Sequence, residues 1–192
     1  MLGLKLSKWR KIVTLFTKND LAGSQRIYEG GIINLRVDTL TASDGTSVVR
    51  EVVEHNGGVV IICEPSPGHV LLVKQYRYSV DRELMELPAG RIEKGEDPFP
   101  AAQRELTEET GYRAKDWREL SRMLSAPGFC NEVLYMYLAR EVEFVGKNLD
   151  FDEETEVFDL SLEEAWAQVA QGKIQDAKTI AGLGLLSNGI KC

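Results

Sequence analysis

Residues 90 to 112 read GRIEKGEDPFPAAQRELTEETGY, and the understanding of the whole chain turns on this stretch. Its second half carries the marks of a helix. Asp97 can cap the start, Pro98 suits the first helical position, and Gly111 suits the residue after the end. Ala102 and Leu106 give the helix an apolar side to pack. Glu105, Glu108 and Glu109 stand at i, i+3 and i+4, so at about 100° per residue they share an arc about 100° wide. Like charges at this spacing destabilise a helix by a few tenths of a kcal/mol per pair. The helix dipole adds to the cost, because these anions sit toward the C-terminal end. Nothing nearby relieves them except Arg104, which the helical period points to another side. Local frustration of this kind tends to mark functional sites, although on the helix alone a solvated acidic face is the other reading. Hard divalent cations such as Mg²⁺ take carboxylate oxygens of this sort. Glu96 stands just before the cap, and Gly90 and Gly95 allow the loop to fold back over the helix start.

On either side of this stretch the pattern is mostly strand. Residues 26–56 predict strands around the turn Asp44-Gly45, a strong hairpin signal. Val59–Cys63, Val70–Gln75 and Glu83–Leu87 read as further strands, the last stopped by Pro88. Two more are expected near 117–125 and 132–142, with Ala126-Pro127-Gly128 between them. Ser161-Leu162-Glu163-Glu164 is a capping box that opens a helix ending at Gly172, and Asp176 opens a last helix toward Leu186. The expected fold is α+β, a mixed β-sheet sandwiched between helices with an N-terminal antiparallel hairpin region. Residues 1–56 are taken as an N-terminal arm and dimerising hairpin, and residues 57–192 as the main domain.

Composition narrows the function. The chain has 192 residues, enough for one full core. Lys and Arg number 23 against 30 Asp and Glu, a formal charge of -7, which argues against nucleic-acid binding. A phosphate-bearing substrate would have to be met by local arginines or a bound cation, because the molecule as a whole repels it. No apolar run approaches the roughly 18 residues that span a bilayer. The basic, amphipathic start MLGLKLSKWRKIVTLF lacks the apolar core and cleavage site of a secretory signal and is read as an arm. Cys63, Cys130 and Cys192 form no disulfide framework and no zinc set, so a reduced, cytoplasmic protein with no membrane partner is expected.

The spacing G-x5-E-x7-R-E-U-x-E-E-x-G-U, with U a bulky apolar residue, is the Nudix box. The chain resembles it at Gly90, Glu96, Arg104, Glu105, Leu106, Glu108, Glu109, Gly111 and Tyr112. The resemblance implies a Nudix fold and Mg²⁺-dependent hydrolysis (Mn²⁺ being the alternative ion) of a nucleoside diphosphate linked to another moiety. It implies that Glu105 and Glu109 are the principal metal ligands, that Glu108 assists, and that Glu96 supports the site or ligates on occasion. The carbonyl of Ala89 would complete the set. Arg104 would hold the loop by ion pairing, and Gly90 and Gly111 would serve the motif's backbone.

Further residues are similar to the ADP-ribose and nucleotide-sugar pyrophosphatase subgroup. Leu87-Pro88-Ala89-Gly90 precedes the box, and Pro127 with Gly128 lies in Ser125-Ala126-Pro127-Gly128-Phe129, sixteen positions after Gly111 (127 − 111). Tyr28-Glu29-Gly30-Gly31 and Val73-Lys74-Gln75-Tyr76-Arg77 resemble that subgroup's substrate-binding strands. Arg77 is the first candidate to fork a diphosphate, followed by Arg50 and Arg91. Tyr28 and Trp9 offer faces on which a base can stack, although core or dimer packing accounts for Trp9 better. In the subgroup a loop glutamate activates water. The acidic run Asp150-Phe151-Asp152-Glu153-Glu154-Thr155-Glu156 aligns Glu153 with one family glutamate and Phe151 with the other. Glu153 is the first choice of base, Glu154 the second, and Glu108 within the box the third. A homodimer with exchanged N-terminal strands is implied. The alternatives are a GDP-mannose or broad nucleotide-sugar pyrophosphatase, a non-catalytic nucleotide sensor, and a hydrolase of damaged nucleoside triphosphates.

Overall fold

The computed structural model describes residues 16–147 and 155–188, and the chain divides into two compact units, residues 1–54 and 55–192. In the first unit, β1 (Leu21–Glu29), β2 (Asn34–Thr41) and β3 (Ser47–Glu54) form an antiparallel sheet in that order. The turn between β2 and β3 is the one foreseen. Gly45 adopts φ +88, a region open to glycine, and Asp44 Oδ1 accepts the Thr46 amide at 2.9 Å. Every residue of β1 is exposed.

The second unit is built around β4 (Gly58–Cys63), an apolar strand buried on both faces. Period-two alternation sends Val59, Ile61 and Cys63 into one core and Val60 and Ile62 into the other. Truncating a residue such as Ile61 to alanine should cost about 2–5 kcal/mol. β4 lies in the sheet β7–β4–β9–β8, formed by β7 (Ala89–Arg91), β9 (Val133–Phe144) and β8 (Tyr112–Leu124). β4 and β9 are parallel and the other pairs antiparallel, so the sheet is mixed. α1 (Pro98–Thr110) buries Ala101, Ala102 and Leu106 with the first core. Leu183 of α3 (Ala177–Ser187) joins the second. The expected mixed sheet between helices is therefore present.

Three details differ from expectation. β5 (His69–Arg77), β6 (Arg82–Glu86) and β10 (Glu156–Ser161) form a separate antiparallel sheet in the order β10–β5–β6. β8 starts at Tyr112, five residues before 117, because it is an edge strand whose charged Arg113, Lys115 and Asp116 stay in solvent while its backbone pairs with β9. Asp97 occupies the N-cap position of α1 with extended backbone but makes no side-chain capping bond. The capping box at α2 (Leu162–Ala170) is closed in both directions, through Ser161 and Glu164. Among the described residues no helix is long and apolar enough to cross a membrane.

Candidate active site

The site forms where the 86–90 segment runs between α1 and β4. Pro88 removes a donor, so the segment cannot continue the β6 ladder. Its remaining polar groups are taken up one by one. The Pro88 carbonyl accepts the Ile61 amide at 2.8 Å, and the Ala89 amide donates to Glu109 Oε2 at 2.9 Å. Gln75 Nε2 donates to the other oxygen, Glu109 Oε1, at 3.4 Å. The backbone of Gly90 lies directly under Glu105, and a Cβ there would sit 1.9 Å from the Glu105 carboxyl carbon. Only glycine leaves room for that carboxylate. Glu105 and Glu109 are both buried, which is costly for an anion and is tolerated only with strong partners.

Arg104 supplies part of that compensation. The helical period points it away from the glutamates, but its long side chain reaches back to them. Its five N–H groups meet five acceptors. Nε donates to Glu96 Oε1 at 3.1 Å and one terminal nitrogen to Glu105 Oε1 and Glu108 Oε2, both at 2.9 Å. The other terminal nitrogen donates to Glu96 Oε2 at 3.0 Å and to the Arg91 carbonyl at 3.1 Å. The frustration read from the helix alone is thus relieved by one cation. The Arg104 bonds outweigh partial burial and hold the Glu96 carboxyl below its ordinary range. Among the described residues no three carboxylate, imidazole or thiolate groups are gathered closely enough to cage a metal ion. Glu105 and Glu108 are instead turned to Arg104.

The C-terminal end of α1 is anchored as closely. Gly111 takes φ +78, and a Cβ on it would lie 2.7 Å from the Phe144 ring. Its carbonyl accepts the Val145 and Gly146 amides, while the Thr155 hydroxyl donates to the Glu109 carbonyl at 2.8 Å. Lys147 Nζ donates to the Thr155 carbonyl at 2.7 Å. Both flanks of the acidic run therefore attach to the end of α1. Glu153 and Glu154 themselves lie outside the described residues.

Beside Ala89 and Gly90 opens a cavity of about 370 Å³, lined also by Arg77, Arg91, Glu132 and Lys178. Arg77 forks onto Glu86 with two 2.8 Å bonds, and Lys178 Nζ donates to the same carboxylate. Burial alone would push the Glu86 carboxyl up, but the hydrogen bonds from Arg77 and the charge of Lys178 outweigh it and hold it below the ordinary range. Lys178 also lies 3.0 Å from Asp176. Sequence reasoning missed Lys178 and Glu86, because their contact spans 92 positions and no local pattern announces it.

Arg50 and Tyr28 are exposed residues of β3 and β1 in the first unit. Pro127 and Gly128 are exposed in the turn where the Phe129 and Cys130 amides both donate to the Ala126 carbonyl. Neither lines the cavity.

The family whose description matches is the NUDIX domain, over residues 54–183. The chain belongs to the NUDIX domain family. The Nudix helix is α1, and the Nudix unit is the second of the two. Among its relatives, an ADP-ribose pyrophosphatase of Bacillus subtilis (strain 168) is 38% identical over 157 residues, covering 81% of this chain and 85% of the relative. A methanol dehydrogenase activator of Bacillus methanolicus is 34% identical over 165 residues, covering 85% and 89%. A crystal structure of an ADP compounds hydrolase shares the fold with a TM-score of 0.78 at 20% identity, covering 94% of this chain and 96% of that one.

Proposed function

We propose that this Nudix hydrolase cleaves the diphosphate of ADP-ribose or a related nucleoside diphosphate sugar, with Mg²⁺ held at the Nudix helix, to give a nucleoside monophosphate and a sugar phosphate. The observation that carries the reading is the pair of buried carboxylates, Glu105 and Glu109, packed against Ala89 and Gly90 at the rim of a cation-lined cavity. In chemistry the donor set suits a hard divalent cation, since Glu105, Glu108, Glu109, Glu96 and the Ala89 carbonyl present oxygen alone, and the ion would have to draw Glu105 and Glu108 from Arg104 to be held there. The glycine at position 90 keeps a side chain out of the space that Glu105 uses. When bound, Mg²⁺ neutralises diphosphate charge and lowers the pKa of a water.

The chain's own residues supply the rest. Arg77, Arg91 and Lys178 stand in the cavity wall beside Glu132 and Asp176, and so offer local cationic groups in a molecule whose net charge is -7. The fork of Arg77 suits a diphosphate, and Glu86 holds it in place until the substrate arrives. Water adds to phosphorus, the bridging P–O bond breaks, and the water's proton passes to a carboxylate. Glu153 is our first choice for that base and Glu154 the second, supported by the attachment of both flanks of their segment to the end of α1. Glu108, occupied by Arg104, is third. Arg50 is our further candidate for the diphosphate, Tyr28 for stacking on the base, and Pro127 with Gly128 for substrate contact.

Exposed Leu21, Ile27, Tyr28, Ile32 and Val49 in the first unit support a homodimer formed through that sheet. The free Cys63 and Cys130 support a reduced, cytoplasmic setting. Incubation with Mg²⁺ and a panel of ADP-ribose, GDP-mannose, UDP-glucose, NADH, diadenosine polyphosphates and 8-oxo-dGTP, with products weighed by mass spectrometry, tests the reading. AMP and ribose 5-phosphate from ADP-ribose are expected. Mg²⁺-dependent binding with no cleavage of any panel member would contradict it.

A further inference from the structure

The 86–90 segment is gripped from two sides, and only one of them is the Nudix helix. On the other side stands the first turn of α3. The Leu87 amide donates to the Thr179 hydroxyl at 2.8 Å, across 92 positions of sequence, and both groups are buried. That hydroxyl has one proton to give, and it gives it to Asp176 Oδ2 at 2.6 Å. The same oxygen accepts the Thr179 amide at 2.9 Å and so caps the helix. Thr179 is 0% exposed, and the donor and acceptor roles of its hydroxyl are both filled. One turn further on, the Leu87 side chain packs on bare backbone: a Cβ at Gly182 would lie 2.3 Å from Leu87 Cδ1. Two residues along the segment, the Ala89 amide is fixed to Glu109. The segment that carries the Ala89 carbonyl is therefore pinned at three successive points, by Thr179 at the Leu87 amide, by the Ile61 amide at the Pro88 carbonyl and by Glu109 at the Ala89 amide.

We infer that Thr179 is a positioning residue for the metal-binding segment, acting through the Leu87 amide, with Asp176 fixing the rotamer of its hydroxyl. Hydroxyl loss leaves a buried amide without an acceptor, and the segment then shifts or frays to find one. Displacement of a ligating carbonyl by a fraction of an ångström weakens metal binding and slows turnover, because reactivity depends steeply on placement. Arg77 keeps its fork on Glu86, a pair of bonds that does not pass through the Thr179 hydroxyl, so the diphosphate contact proposed for Arg77 should change little. The signature is thus a change in metal dependence and kcat with little change in KM for the sugar nucleotide. The inference rests on the functional reading above for the metal site and for catalysis, while the hydrogen bonds of Thr179 to Leu87 and Asp176 stand apart from it.

The test compares full-length wild type with Thr179→Val and Thr179→Ser. Three readouts are taken: amide hydrogen exchange at Leu87, Mn²⁺ binding by calorimetry without substrate, and steady-state kinetics against Mg²⁺ and ADP-ribose. For Thr179→Val, exchange at Leu87 should accelerate, Mn²⁺ affinity should fall several-fold, and kcat should fall roughly tenfold at unchanged KM for ADP-ribose. Thr179→Ser should restore all three. Ile180→Val, which trims an apolar neighbour facing the core, serves as the control for general stability loss. Asp176→Asn keeps a cap and should give a smaller shift in the same direction if Thr179→Val does not fold. Unchanged Mn²⁺ affinity in Thr179→Val, no rescue by serine, or an equal loss in Ile180→Val would overturn the inference. If wild type hydrolyses nothing, the functional reading fails alone, and exchange and Mn²⁺ binding still decide the role of Thr179.

Discussion

α1 and α3 contribute to opposite cores of the Nudix unit, and both grip the 86–90 segment, but they advertise themselves differently. α1 carries its chemistry on its own surface, as three glutamates within two turns that the local lattice makes uncomfortable. α3 looks ordinary: small and apolar residues behind an Asp cap. Its contribution appears only when Glu86 and Leu87 arrive from 92 positions away. A carboxylate face can thus be written in local spacing, while a brace on a distant segment is written in tertiary contact.

The largest expected effects fall on α1. Glu109→Gln removes a carboxylate that also holds the Ala89 amide, and kcat should fall by about 100-fold or more with the fold retained, the scale on which one preorganised charge acts. Circular dichroism and steady-state kinetics on the same preparation check this. Gly90→Ala forces a methyl group into the Glu105 carboxylate. It should cost about 1–3 kcal/mol of stability, as overpacking does, and remove most activity. A folded, active alanine variant would show that this contact gives way cheaply.

Arg104→Met sharpens the contrast. Without metal, Glu96, Glu105 and Glu108 lose their shared partner, and the protein should unfold at lower temperature than wild type. Added Mg²⁺ should raise Tm more in the variant than in wild type, because the cation replaces the lost charge. Equal Mg²⁺ shifts in both would place the cation away from these carboxylates.

The pH dependence should be smaller. The folded-state pKa values of Glu86 and Glu96 lie below their unfolded values, so their contribution to stability is complete above the ordinary carboxylate range. It is lost as pH falls through the depressed values. Stability should therefore drop from about pH 5 downward, and less steeply in Glu86→Gln, as denaturant titrations would show.

Most of the fold was legible because it follows local rules. Gly45, the Ser161–Glu164 box and the two-faced β4 each announce themselves. The start of β8 was not legible, since an edge strand with solvated charges lacks the alternation that reveals a buried face. The loop-holding ion pair implied for Arg104 agrees with its bonds to Glu96 and the Arg91 carbonyl, but the helical angle alone hid its reach to Glu105 and Glu108. Helical angle places a Cα, but a side chain of this length reaches neighbours that the angle assigns elsewhere. The division into two sheets, the Glu86 cluster and Thr179 all depend on which distant segments meet.

Direct measurement of metal binding tests the central claim. Calorimetric titration of wild type and Glu105→Gln/Glu109→Gln with Mn²⁺, in the absence of substrate, isolates the carboxylate flank of α1 from every other step. Saturable binding by wild type, abolished in the double variant while both remain folded, is the predicted result. Equal binding by the two proteins would contradict the account.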